Sequence, residues 1–226
     1  MGKWILLTIP LLFWSRLLIS QLDSPVEWLT LEIILNICLV TLLLYFFIKR
    51  TSIRKFIDWV VLTGFSFYFC FLFGETTWLS FYYIFNSEFI GFDTHRNFIF
   101  INLIPFNGIS ETINNNSMAL YQILGNLLML SPFAFTSLYF EWTKNVKKTV
   151  VYLCFVSIAI EVFQLIETAF SSLFELGGSL RATDIDDVIL NTTGALIGAV
   201  IFLVWKKVNT ILSSIKEKGG QFIDSK

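Results

Sequence analysis

Charge is scarce in this chain. Only 15% of its 226 residues are Asp, Glu, Lys or Arg, against about 25% in a soluble domain. So little polar surface cannot wrap a globule in water. One histidine, His95, rules out a histidine-rich zinc centre. The three cysteines, Cys38, Cys70 and Cys154, each sit in a different apolar run, which excludes a disulfide framework and points to small core hydrophobes. A formal net charge of −1 offers no basic stripe for nucleic acid. The HExxH, GxSxG, P-loop and paired CxxC patterns are missing too, which removes the commonest zinc protease, serine hydrolase and nucleotide-driven readings. What remains is apolar: 55% of residues are hydrophobic and the mean hydropathy is +0.71. The composition is that of a polytopic membrane protein.

Six stretches approach the roughly 20 apolar residues that a spanning helix needs. They are Trp4–Ile19, Leu29–Ile48, Phe56–Phe73, Ala119–Phe140, Val150–Ile166 and Ile185–Trp205. The first follows Lys3 as a signal peptide would, but no small-x-small cleavage site ends it, so it is expected to stay as a helix. The expected fold class is therefore all-α, a membrane bundle of about six helices. Lysine and arginine alternate between the connecting segments. Thirteen fall on one side (Lys3, Lys49, Arg50, Arg54, Lys55, Lys144, Lys147, Lys148, Lys206, Lys207, Lys216, Lys218 and Lys226), and two, Arg96 and Arg181, on the other. The bias predicts a cell-membrane protein with both termini cytoplasmic. Residues 1–73 read as an N-terminal three-helix region and 74–226 as a second region. The latter opens with a long outer loop whose aromatic start, Trp78–Phe85, suits an interfacial helix or a re-entrant piece.

Polar side chains inside apolar spans carry the functional signal, because a charge at mid-membrane costs about 2.5–3.5 kcal/mol. On the fifth span Ser157, Glu161 and Gln164 fall on one helical face. On the sixth, Asp184, Asp187, Asn191, Gly194 and Gly198 follow the same spacing, and the fourth carries Gln122 and Asn126. At 1.5 Å per residue, Glu161, Asn126 and Asn191 all lie roughly 10 Å below the outer surface. A shared outward-facing polar pocket is the simplest arrangement. Other features have plainer readings. Gly194 and Gly198 suit close helix packing. Thr183 with Asp186 resembles a capping box. Arg16 is placed to pair with Glu32, near Asn36, and Asp58 to be an interfacial charge. With carboxylates and amides alone, any metal would have to be a hard cation; no ligand motif supports one, and no metal or cofactor is expected.

Four elements, in order, resemble the VanZ-like family. Arg96 with Asn102-Leu103-Ile104-Pro105-Phe106 resembles its R…NLIPF signature, and Asn126 with Pro132-Phe133 its NxxLFxPFG segment. Ser157, Glu161 and Gln164 match SxxxExxQ; Arg181, Asp184, Asp187, Asn191, Gly194 and Gly198 match RxxDxxDxxxNxxGxxxG. Leu130 and Ala134 depart from the pattern, where phenylalanine and glycine are usual. The resemblance implies a bacterial integral membrane protein associated with glycopeptide resistance, particularly to teicoplanin-type compounds. It supplies no catalytic mechanism.

The expected function is binding of a lipid headgroup or lipid-linked cell-wall precursor at the outer leaflet. Arg96 and Arg181 would hold phosphate, and Asn102, Asn126, Gln164 and Asn191 would bond a sugar or peptide. Ser157, Glu161, Asp184 and Asp187 complete the expected lining. An intramembrane enzyme with Glu161 or Asp187 as acid–base, and a small carrier, are the alternatives. The bilayer is the expected partner and nucleic acid is not; the sequence sets no oligomeric state.

Overall fold

Long apolar runs have one local way to satisfy their backbone in hydrocarbon, which is to coil. The computed structural model describes residues 2–23, 26–91, 101–115, 119–174 and 183–224, and these are mostly helical. A 3-10 segment, Gly2–Thr8, leads into α1 (Ile9–Phe13) and α2 (Ser15–Asp23). Next come α3 (Glu27–Lys49), α4 (Phe56–Thr76) and the short α5 (Tyr82–Asn86). The strand β1 (Ile101–Asn102) precedes α6 (Asn107–Asn115), α7 (Ala119–Met129), α8 (Ser131–Tyr139) and α9 (Val146–Ser171). The strand β2 (Thr183–Asp184) runs directly into α10 (Ile185–Asp224). Five helical stretches are long and apolar enough to span a membrane: α3, α4, α7 with α8, α9 and α10. A sixth crossing exists if the N-terminal pair, Gly2–Phe13 and Ser15–Leu22, is one span bent by 49°. This is the expected membrane helix bundle.

The first apolar run is thus a broken helix rather than a straight one. Its Leu6, Ile9 and Trp14 nevertheless lie in the hydrophobic core with Val40, Leu44, Ile48 and Leu62. Lys3 fixes its start by donating to the Ile48 and Thr51 carbonyls at 2.9 and 2.6 Å. Those carbonyls belong to the C-terminal end of α3, which favours a cation. Nearby, Asp58, expected as an interfacial charge beside the basic loop, is bonded to that loop. It is buried, accepts from the Arg54 and Lys55 amides at 2.7 and 2.9 Å, and takes the Tyr139 hydroxyl at 2.6 Å. It thereby closes the start of α4 against the end of α8.

The fourth apolar run is also broken, between α7 and α8. Pro132, in the first turn of α8, has no N–H to continue the ladder. Tyr68 of α4 takes up one freed carbonyl, that of Met129. The long α10 lies against this break. A β-carbon at Gly194 would overlap the Leu127 carbonyl oxygen, and one at Gly198 that of Ser131. The two glycines serve close packing, as their spacing predicts.

At the end away from Lys3, residues Trp78–Phe85 form an extended lead into one short helix. Glu32 of α3 holds it. Its carboxylate accepts from the Trp78 indole at 3.0 Å and from the Phe81 and Tyr82 amides at 2.8 and 2.9 Å. Asn36 exchanges two 2.9 Å bonds with the backbone of Leu79. The expected Arg16–Glu32 pair is therefore replaced: Glu32 serves the outer segment, and Arg16 is exposed.

Candidate functional site

The polar residues of the spans gather where β1 meets β2. The strands pair in parallel, with Ile101 opposite Thr183 and Asn102 opposite Asp184. The pairing sets the Asn102 amide against the Asp184 carboxylate, Nδ2 to Oδ1 at 3.0 Å. The same Asp184 oxygen accepts from the Asp186 amide at 2.9 Å, so Asp184, not Thr183, is the residue that caps α10. Its own backbone N–H donates to Glu161 Oε2 at 3.3 Å. Glu161 comes from the middle of α9 and is only 5% exposed. A buried carboxylate requires such donors.

Asp186 does something else. Its two oxygens accept from the Phe106 and Ile109 amides, at 2.5 and 3.0 Å. Phe106 and Ile109 stand at the N-cap and third positions of α6, where amides have no intrahelical partner. One carboxylate in the first turn of α10 thus caps a second helix as well. Between β1 and α6 the chain turns sharply at Leu103–Phe106, and Phe106 has φ of 68°. Gly108 packs directly beneath: a β-carbon there would overlap the Asp184 carboxylate.

Further down, Asp187 accepts from the Asn126 amide, joining α10 to α7. Asn191 donates to Ser157 Oγ at 3.1 Å, joining α10 to α9. Asn191 is 1% exposed, and its Oδ1 has no hydrogen-bond partner. Gln164 turns instead toward α4 and donates to the Thr76 carbonyl at 3.3 Å. Asn102, Asp184 and Glu161 therefore form one connected group, Asn126 and Asp187 a second, and Ser157 and Asn191 a third. All three groups meet the first two turns of α10. Gln122, grouped with Asn126 by spacing, lies on an exposed face of α7. Arg96 and Arg181 fall outside the described residues, as does His95. No group of three or more His, Cys, Asp or Glu that could hold a metal occurs among the described residues.

Beside the cluster the outer segment is packed with aromatics. Tyr83 is buried against Phe174, and Trp28 stacks on Phe85. Burial pushes the Tyr83 phenol above its usual range, and the neighbouring Glu167 and Glu32 carboxylates push it the same way. It stays a neutral hydroxyl at physiological pH.

Spacing gives Asp186 only a local capping role, and it reveals neither Gly108 nor the Glu32–Asn36 latch as organisers of this end. The one available signal for Gly108 was a glycine placed just past Pro105-Phe106. The local pattern at Asp186 points only to its own helix start, whereas its partners lie 80 and 77 residues away.

No curated protein and no solved structure matches the chain. A family model described as VanZ/LLP1 matches residues 59–206, which runs from the first turn of α4 to Lys206, midway along α10, and contains the whole polar cluster. The match covers well over half of the sequence, and by it this multi-pass membrane protein belongs to the VanZ/LLP1 family.

Proposed function

We propose that the cluster around Glu161 and Asp184 binds the headgroup of a membrane lipid or of a lipid-linked cell-wall precursor, and that the protein acts as an envelope factor of the teicoplanin-resistance type. The observation that carries this reading is the convergence of Asn102, Asn126, Ser157, Glu161, Asp184, Asp187 and Asn191, from three spanning stretches and the outer elbow, at one end of the bundle. Polar groups collected inside a bilayer need a purpose that outweighs their desolvation. In the chain, Arg96 lies five residues before Ile101 of β1 and Arg181 two before Thr183 of β2. Guanidinium suits phosphate through paired donors. The basic end of the bundle is taken as cytoplasmic from the lysine and arginine bias, which turns the cluster outward.

Below Asn191 the seam between α10 and the α7–α8 break holds the fully buried Leu130, Ala134, Ala195 and Ala199. The buried carboxylate beyond it, Asp58, is bonded to Tyr139 and to the Arg54 and Lys55 amides, and this favours a one-sided pocket over a carrier with an open polar path at both depths. A second reading, an intramembrane enzyme, draws on Glu161 as a buried carboxylate beside a backbone donor. The test uses the full chain in nanodiscs with labelled lipid-linked precursor and labelled phosphatidylglycerol. Saturable binding that falls at least about tenfold in Arg96→Ala or Arg181→Ala, equivalent to ~1.4 kcal/mol, supports the headgroup site. Unchanged binding in both variants removes the phosphate role. A released product that disappears in Glu161→Gln moves the assignment to the enzyme.

A further inference from the structure

The turn between β1 and α6 faces the wrong way for a loop in water. Leu103, Ile104 and Phe106 are 69%, 67% and 65% exposed. They cannot rotate inward, because the backbone that carries them is tied at both ends. The Asn102 side chain accepts from the Ile104 amide at 3.2 Å, and Asp186 holds the Phe106 and Ile109 amides. Phe106 is kept in the left-handed region, where a side chain is normally disfavoured.

The following helix is two-sided. Asn107, Ser110, Glu111 and Asn114 are exposed along one side of α6, and Asn107 donates to Glu111 at 3.0 Å. By helical spacing, Ile113 and the N-cap residue Phe106 share a flank about 100° round from Asn107 and Asn114, and Ile113 is exposed as well. α6 packs against α7, whose Leu120, Tyr121, Leu124 and Leu128 are exposed along a stretch long and apolar enough to span a membrane.

We infer that residues 101–115 form a membrane-surface anchor, with Leu103, Ile104, Phe106 and Ile113 seated among the acyl chains next to the headgroups and the polar side of α6 in water. A short helix with one apolar and one polar side lies in the plane of such a surface. The occupant is lipid, because α6 packs against α7, whose exposed apolar residues belong to a membrane-spanning stretch. The anchor holds the polar cluster at headgroup depth, where a lipid can reach it sideways. This goes beyond the headgroup reading and does not depend on it. The anchor can exist over an empty cluster, and its test reads no ligand.

The chain is reconstituted in phosphatidylcholine–phosphatidylglycerol vesicles, with nitroxides at Leu103→Cys, Ile104→Cys, Asn107→Cys and Asn114→Cys in a C38A/C70A/C154A background. Collision rates with oxygen and with a neutral nickel chelate are measured. Positions 103 and 104 are expected to favour oxygen, and 107 and 114 the chelate, with a contrast of about threefold or more, as for an interfacial helix. Equal chelate access at all four positions overturns the inference. So does shielding of 103 and 104 from both probes, which means that protein covers them. Should the cysteine-free chain fail to fold, the native chain is photolabelled by a phosphatidylcholine with a diazirine near the glycerol end of its acyl chain. Label on Leu103–Phe106 supports the anchor, and label absent there while present on α7 overturns it.

Discussion

A single carboxylate does the most work at this end of the molecule. Asp186 is 2% exposed and accepts from two backbone amides of a different helix. Charged acceptors on helix N-terminal amides are among the stronger hydrogen bonds. Asp186→Ala leaves those donors unpaired and is expected to destabilise the protein by about 1–3 kcal/mol. Thermal unfolding in detergent checks this, and the 101–115 segment should become sensitive to limited proteolysis well below the global transition. Asp186→Asn keeps one acceptor and should fall between Ala and the native residue. Glu161, Asn191 and Ser157 were legible from their spacing alone, because a polar group in an apolar span is conspicuous wherever it stands. Asp186 was not. An acidic residue in a first helical turn has an ordinary local explanation, and its actual partners are remote in sequence.

At the scale of elements, hydropathy located the spanning stretches but not their breaks. A window average does not register a missing N–H, so the α7–α8 interruption at Pro132 and the bent N-terminal span were both read as continuous. α10 outruns its apolar stretch. The apolar run ends near Trp205, yet the helix continues to Asp224, because polar residues coil as readily as apolar ones once a helix has begun. The packing of α10 against the α7–α8 break depends on two positions without side chains. Gly198→Ala forces a β-carbon into the Ser131 carbonyl and should cost about 1–3 kcal/mol, measured as a lowered midpoint in detergent thermostability. Gly198→Leu should prevent stable accumulation. A variant of equal stability would mean that α10 can shift away from the break freely.

The whole molecule has two unlike ends. One is closed by backbone-directed contacts of Lys3 and Asp58, the other by a web of amides and carboxylates spread over six elements, β1, α6, α7, α9, β2 and α10. The bias of thirteen basic residues to two predicts that reporters fused at either terminus are active only inside the cell, and that a cysteine introduced near residue 87, between α5 and β1, reacts only with an impermeant reagent added outside. Reversal of both signals would turn the polar cluster inward and remove the outer-leaflet reading. The general architecture was readable from composition and charge. The contact between β1 and β2 was not, since two-residue strands leave no periodic trace.

That contact also sets an order of events during synthesis. Phe106 leaves the ribosome 80 residues before Asp186. At a typical 5–20 residues per second, the wait is about 4–16 s. Throughout it the amides at the start of α6 have no carboxylate, and the turn bearing Leu103 and Ile104 has no fixed shape. The nascent chain therefore carries an unfinished, greasy hinge until α10 is made, and that helix acts as the latch on a door hung much earlier.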